Sequence, residues 1–208
     1  YLDRTVAIKV IHPQWFHMSG LRARFLREAR ALAAANHGNV VEVMDFRVMP
    51  DGLDYLVMEL LEGQDLSTLL ADEGPMEPRE VAKLGIQAAK ALEHMHELGF
   101  VHRDLKPSNL WIQSDESDEL KLTLLDFGAA GVVMNAPPER CPPLTQLGEI
   151  LGTVSYMAPE QCRGKAVGTR ADIYSLSCVL WELLVGHKPH QGKTPLETMK
   201  KHLTETVS

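Results

Sequence analysis

The stretch HRDLKPSN, at residues 102–109, places charged and amide side chains between two short predicted strands, near 100–102 and 110–113. Further short motifs lie on both sides of it. They are VAIK (6–9), DFG (126–128), GTVSYMAPE (152–160) and DIYSL (172–176). Each motif alone is a weak signal, because VAIK is an ordinary strand and DFG is common by chance. Five such motifs do not occur together in a fixed order and at fixed spacing by chance. Their combination therefore decides the fold.

The hydropathy pattern between the motifs predicts strands first and helices afterwards. Predicted strands cover 5–11, 40–49, 54–61 and 120–125, with a turn at Pro50-Asp51-Gly52. Predicted helices cover 19–35, 65–71, 78–98, 170–185 and 194–203. The first begins at Ser19 and buries a stripe of Leu21, Phe25, Ala29, Leu32 and Ala33, while Gly99 and Gly186 stop the third and fourth. Residues 129–150 are predicted to form a loop. This order predicts an α+β chain with a small β-rich lobe and a larger helical lobe, joined near Glu59–Gly63.

Composition narrows the class of protein. The 208 residues are 45% hydrophobic and 24% charged, which is typical of globular domains. A net charge of −7 with mixed signs argues against nucleic-acid binding. The three cysteines, Cys141, Cys162 and Cys178, argue against a disulfide framework or a zinc site and favour a reducing compartment. No apolar run approaches the ~18 residues of a membrane span, so we expect no membrane contact by this segment.

In this order the five motifs resemble those of eukaryotic-like, Hanks-type protein kinases, and the resemblance covers essentially the whole chain. It implies a bilobal fold and transfer of the ATP γ-phosphate to Ser or Thr hydroxyls of protein substrates, with Mg²⁺. Lys106 and the GT before APE resemble the serine/threonine branch, and the phrase APEQCRGKAVGTRADIYSL resembles the bacterial members. The implied location is the cytoplasm, or the cytoplasmic face of a membrane if the full-length protein is anchored. A dimer for autophosphorylation is compatible with this family.

The resemblance also implies the catalytic roles. Lys9 would hold the α- and β-phosphates, with Glu28 pairing it from the first helix. Asp104 would orient the acceptor hydroxyl and accept its proton, and Lys106 would steady the γ-phosphate. Thr153 would hydrogen-bond toward Asp104 and Lys106.

Metal binding is expected at two positions. Asp126 would bind the Mg²⁺ that bridges the phosphates, and Asn109 would hold a second metal site. Carboxylate and amide oxygens suit this hard cation. Asp172 is expected to brace the catalytic-loop backbone, while His102, Phe127, Leu32 and Val43 would stack as a spine between the lobes.

The resemblance further implies an adenine pocket. Ala7 would cover the ring, Met58 would be the gatekeeper, and Glu59 to Leu61 would offer backbone groups to the base edge. Asp65 would reach the ribose hydroxyls. Trp111 lies where the family usually has Leu or Met beneath the adenine, so it either narrows the floor of the pocket or repacks with its neighbours.

The chain is expected to be a partial kinase domain over 1–208, with a partial N-lobe at 1–60 and the hinge and a partial C-lobe at 61–208. Only eight residues precede Lys9, so the glycine-rich loop of the family is not expected within it. The main alternative is a pseudokinase acting as a binding or scaffold module, and a small-molecule kinase is a further one. For regulation, Glu149 either pairs with Arg103 in place of a phosphate or is a solvated loop charge, and Thr145 is a candidate phosphorylation site.

Overall fold

The computed structural model describes residues 4–10, 29–30, 32–48, 54–114, 119–125, 131–132 and 154–207. Several predicted features lie outside these residues. They are the cap at Ser19, the stripe residues Leu21 and Phe25, the turn at 50–52, and the functional candidates Glu28, Asp126, Phe127, Thr145, Glu149 and Thr153.

The N-terminal lobe contains an antiparallel sheet of three strands, β1 (Val6–Val10), β2 (Val43–Val48) and β3 (Asp54–Glu59). Their order is β1-β3-β2, with a register irregularity between Val43 and Asp45. Side chains alternate across β1, since Ala7 and Lys9 are partly covered whereas Ile8 and Val10 are exposed. All three strands agree with the prediction to within a few residues.

Residues 29–30 and 32–34 are helical, as predicted. Ala29 and Leu32 are buried in the core. The prediction for Ala33 was wrong, because its side chain is exposed. Ala33 lies about 100° around the helix from Leu32 and is thereby turned away from the core.

Helices dominate the C-terminal lobe. They are α1 (Leu66–Glu73), α2 (Pro78–Glu97), α3 (Pro159–Cys162), α4 (Thr169–Val185) and α5 (Pro195–Thr204). Gly99 and Gly186 follow α2 and α4 with φ of +83° and +78°, a conformation that suits glycine at a helix end. The two helices approach closely at Gly85, where an added Cβ would lie 3.1 Å from Leu180 Cδ1. This packing positions α4 beneath the catalytic loop.

Short strands surround that loop. The strands β4 (Gln64–Asp65), β6 (Leu110–Ser114) and β7 (Leu120–Leu124) form one antiparallel sheet in the order β4-β6-β7. The strand β5 (Phe100–Val101) pairs with β8 (Gly131–Val132). The prediction of an unbroken loop over 129–150 was therefore wrong at β8. Two residues carry too little periodicity to indicate a strand, and the pairing with β5 supplies the hydrogen bonds.

The lobes share one hydrophobic core. Leu32, Val40 and Leu56 belong to the same buried cluster as Leu92 and Leu183 of the C-terminal lobe. The segment before β2 also joins β7 through its backbone, because Val41 N–H donates to Leu124 O at 3.1 Å and Leu124 N–H donates to Asn39 O at 2.8 Å. Within the described residues, no helix combines the length and the apolar character that crossing a membrane requires.

A cluster of rings holds α5 against α4. His202 Nδ1 lies 2.8 Å from the hydroxyl of Tyr174, and the His202 ring centroid lies 4.7 Å from that of His190. Both imidazoles are buried. Burial in the first place, and His190 in the second, lower the pKa of His202 to about 4.

We therefore expect acid to destabilise this lobe through His202. In the unfolded chain an imidazole binds its proton near pH 6.5, whereas folded His202 binds it only near pH 4. The unfolded state binds more protons in that window, so the contribution of His202 to the free energy of unfolding is complete above about pH 6.5 and declines toward pH 4. Denaturant titrations at about pH 6.5 and about pH 4 measure the free energy of unfolding. Its decrease between these two pH values should be smaller in His202→Gln than in the wild type. The exposed-site control His187→Gln should behave as the wild type does, and equal losses in all three proteins would contradict the assignment.

Candidate active site

A buried carboxylate holds the catalytic-loop backbone. Asp172, near the start of α4, is fully buried. It accepts the N–H of His102 at 2.9 Å on Oδ2 and the N–H of Arg103 at 2.8 Å on Oδ1. His96 Nε2, at the end of α2, also lies 2.7 Å from Oδ2. A buried charge is tolerated only with such partners. The predicted bracing role of Asp172 is confirmed.

The loop bends at Arg103. Its φ of +67° makes it the only non-glycine residue with positive φ in the part of the chain that the structure describes. Such a conformation is disfavoured for residues with a Cβ and persists when neighbouring groups determine it. Asp172 holds the N–H of Arg103, and Gln161 Nε2 donates to its carbonyl at 2.8 Å.

His102 connects the loop to the strand that leads to the DFG motif. Its Nε2 donates to Leu125 O at 3.0 Å, while its Nδ1 accepts the N–H of Asp104 at 3.3 Å. These two partners together assign the tautomer with the proton on Nε2. The imidazole therefore ties Asp104 to Leu125, the residue before Asp126.

Three predicted site residues meet on the loop itself. Lys106 Nζ lies 2.9 Å from Asp104 Oδ2, and Asn109 Nδ2 donates to Asp104 O at 2.8 Å. The short 3-10 turn Pro107–Asn109 brings the amide back over the loop. The Oδ1 atom of Asp104 is buried and has no hydrogen-bond partner among the described residues. An unpartnered buried oxygen is costly, and it indicates a position where a ligand can donate a hydrogen bond.

The sheet of the N-terminal lobe brings the pocket candidates into register. Ala7 pairs with Met58, and Lys9 pairs with Leu56 two residues along the same strands. Ala7 and Lys9 share the partly covered face of β1. Ala7, Lys9 and Met58 are therefore close in the sheet, as the resemblance implies.

Two further pocket candidates have structural partners. Glu59 donates its backbone N–H to Glu42 O at 3.0 Å. Its carbonyl is therefore the backbone group that it can offer to the edge of a base. Asp65 caps α1, since its Oδ1 accepts the N–H groups of Ser67 and Thr68 at 2.9 and 3.1 Å. A ribose contact by Asp65 would share an oxygen with this cap, and it stays a prediction.

Trp111 is anchored beside the connection between the lobes. Its Nε1 donates to Glu62 O at 2.6 Å, and in the sheet it lies between Asp65 and Thr123. The side chain is partly buried, whereas its neighbours Leu110 and Ile112 point into the core. The indole thus lies on the opposite face of β6 from the core, and an adenine contact stays a prediction.

The segment 154–158, which follows the site candidate Thr153, contacts α4. Tyr156 donates its hydroxyl to Glu182 Oε2 at 2.5 Å, and Ser175 Oγ donates to Tyr156 O at 2.7 Å. Burial, followed by the hydrogen bond to Glu182, raises the pKa of Tyr156 far above its ordinary range. Tyr156 is therefore a neutral donor that holds this segment in place.

The sequence alone did not indicate three of the contacts that hold the site. They are those made by His96, by Gln161 and by the Tyr156–Glu182 pair. Gln161 occupies the third position of a helix that begins at Pro159, which signals a capping contact but not its reach to the catalytic loop. His96 gives no signal of its own in a helix end that also carries His94. The Tyr156–Glu182 pair joins residues whose separation matches no local period.

Comparison with known proteins identifies the family of this chain. A profile described as the protein kinase domain matches residues 2–208. The chain belongs to the protein kinase domain family. The bilobal α+β fold expected from the motifs is thereby confirmed.

Several curated relatives of this kinase domain are bacterial. It is 35% identical over 204 residues to serine/threonine-protein kinase pkn3 of Myxococcus xanthus, covering 98% of this chain and 37% of that protein. It is 35% identical over 207 residues to serine/threonine-protein kinase PknB of Mycobacterium leprae, covering 98% of this chain and 32% of that protein. It is 40% identical over 201 residues to serine/threonine-protein kinase pkn2 of Myxococcus xanthus, covering 97% of this chain and 24% of that protein. The kinase domain spans about a third or less of the length of these relatives, and the resemblance to bacterial serine/threonine kinases is confirmed.

Proposed function

We propose that the protein transfers the γ-phosphate of ATP to Ser or Thr hydroxyls of protein substrates. The single observation that carries this proposal is the braced Asp104, whose Oδ1 lacks a hydrogen-bond partner among the described residues while Oδ2 contacts Lys106. The names of the bacterial relatives support the same activity.

In the proposed reaction, the substrate hydroxyl donates its hydrogen bond to Asp104 Oδ1. The hydroxyl oxygen forms a bond to the γ-phosphorus, the bond from that phosphorus to the β–γ bridging oxygen breaks, and ADP leaves. The hydroxyl proton moves to Asp104 late in the step. The ammonium of Lys106, next to the carboxylate, steadies the transferring phosphoryl group. The chain therefore contributes orientation, a proton acceptor and positive charge.

The donor set of the loop fits a hard cation. Asn109 uses its Nδ2 on Asp104 O, which leaves its Oδ1 as the atom that can face a metal ion. Asn109 and Asp126 would hold Mg²⁺, which when bound neutralises phosphate charge. Lys9 would hold the α- and β-phosphates, paired by Glu28. Asp126 and Glu28 lie outside the described residues.

The nucleotide base would bind between the lobes. Ala7 and Met58 would line one side, the backbone of Glu59 and Leu61 would meet the base edge, and Trp111 would lie below. Asp65 is the proposed ribose contact, and Thr153 is proposed to bond toward Asp104 and Lys106. The partners are protein substrates, with a second copy of the protein as one of them in autophosphorylation. We place this activity on the cytoplasmic side, where ATP is available.

The test uses the full-length protein with Mg²⁺ and γ-labelled ATP. Label on Ser or Thr of the protein or of an added peptide library supports the proposal. Chelation of Mg²⁺ should abolish this label. Nucleotide binding without any transfer would contradict it and favour the binding-module alternative.

A separate prediction concerns Trp111. Because its indole lies on the face of β6 away from the core, bound nucleotide should change its fluorescence. We expect saturating Mg²⁺–ATP to quench the emission of the wild type and to have a smaller effect in Trp111→Leu, with an altered affinity for ATP. Trp181→Phe, which replaces an indole on α4, should retain the response. An unresponsive wild type, with binding verified by calorimetry, would show that Trp111 serves packing alone.

A further inference from the structure

We propose that Gln161 is a positioning residue that sets the orientation of Asp104 and couples it to the segment 154–158. This inference rests on the proposed function. Gln161 lies in α3, and Arg103, which it contacts, is 58 residues earlier in the chain.

The side-chain amide of Gln161 is engaged at both ends. Its Oε1 accepts the N–H of Ala158 at 2.9 Å, and its Nε2 donates to Arg103 O at 2.8 Å. One partner is a donor and the other is an acceptor, so only this orientation of the amide satisfies both. A carboxylate at this position could keep the first contact but could not make the second.

The carbonyl that Gln161 holds belongs to the peptide between Arg103 and Asp104. The N–H of the same peptide donates to His102 Nδ1 at 3.3 Å. Both ends of the peptide plane are therefore held, in a loop whose Arg103 has the disfavoured φ of +67°. Without these two bonds ψ of Arg103 could change, and a change in that dihedral angle would reorient Asp104 and redirect its carboxylate.

The other end of Gln161 reaches the segment that leads into α3. Ala158 is fully buried, and the preceding Tyr156 is fastened to α4 by Glu182 and Ser175. Gln161 thus links a segment anchored on α4 to the peptide that carries Asp104. Asp172 accepts the N–H of Arg103, whereas Gln161 donates to its carbonyl. The two side chains therefore hold both backbone polar groups of Arg103.

Gln161→Glu in the full-length protein separates the two contacts. The substitution keeps the size of the side chain and the acceptor for Ala158 N–H. It replaces the Nε2 donor by a carboxylate oxygen, which repels Arg103 O. We expect kcat for peptide phosphorylation to fall about 10- to 100-fold, because a small misplacement of a catalytic group has this effect. The KM for ATP should stay at the wild-type value.

Two further variants keep the test decisive. Gln161→Met removes both contacts and should lower kcat at least as much. Gln87→Glu is the matched control, because Gln87 also bridges a backbone N–H and a backbone carbonyl, those of Leu122 and Leu120, both at 2.9 Å. It should lower thermal stability and leave kcat of the folded protein unchanged.

The outcomes are distinct. An unchanged kcat in Gln161→Glu, or an equal fall in Gln87→Glu, would overturn the positioning role while the proposed function stands. A wild type that transfers no phosphate would instead overturn the proposed function and this inference with it. Hydrogen exchange gives a readout independent of activity, and the amides of the catalytic loop should lose protection in Gln161→Glu but not in Gln87→Glu.

Discussion

Asp104→Asn is expected to lower kcat by a factor of about 10² or more while leaving nucleotide affinity nearly unchanged. The amide keeps the shape of the side chain but cannot take the hydroxyl proton. The proposed phosphate and metal contacts come from other residues, Lys9, Asn109 and Asp126, so the nucleotide should still bind. Label transfer from ATP measures the first effect, and calorimetric titration with Mg²⁺ and a non-hydrolysable ATP analogue measures the second.

Asp126→Asn provides the opposite pattern. It should abolish Mg²⁺-dependent nucleotide binding, because a carboxylate ligand is replaced by a neutral amide. The two variants together separate the proton acceptor from the metal ligand. If both bind nucleotide equally and both retain activity, the assignment of these two carboxylates is wrong.

Asp172→Ala is expected to have the largest effect on stability. It removes the acceptor for two backbone N–H groups, those of His102 and Arg103, and the partner of His96 in a fully buried position. Leaving such groups unpaired should lower the free energy of unfolding by about 3–5 kcal/mol. Urea titration of the full-length protein measures this change. Any protein that remains folded should also lose kcat, because Arg103 then lacks one of the two groups that hold its conformation.

The control for this prediction is Asp45→Asn. Asp45 also accepts a neighbouring backbone N–H, that of Phe46 at 2.8 Å, and pairs with Arg47 at 2.7 Å, but the pair is exposed. Solvent competes for exposed pairs, so we expect no measurable change in stability. If Asp172→Ala were as mild as Asp45→Asn, Asp172 could not be the group that holds the loop.

The long helices could be predicted because their signal is local. In α2, Val81, Leu84, Ala88 and Leu92 recur at helical spacing, and all four are buried. The stops at Gly99 and Gly186 are local as well, since they depend on a backbone conformation that favours glycine. The short motifs likewise indicated Asp104, Lys106 and Asn109, which the loop brings together within hydrogen-bonding distance.

Contacts between distant parts of the chain could not be predicted in the same way. Gln161 gave only a capping signal, yet its amide reaches Arg103 O. Trp111 left two interpretations open, and the structure added its bond to Glu62 O. Ala33 satisfied the helical spacing but lies on the exposed side, because the direction of the core is set by packing.

The sequence by itself determined the family and the order of the lobes, because motif spacing and periodicity are written along the chain. It also indicated the residues that are proposed to have chemical roles. The tertiary structure decided how Asp104 is held. Asp172 is 70 residues from His102, and the bond between them forms only when α4 packs beneath the loop. Hydrogen bonds of this kind depend on the paths of two separate segments, and no local pattern encodes where those paths meet.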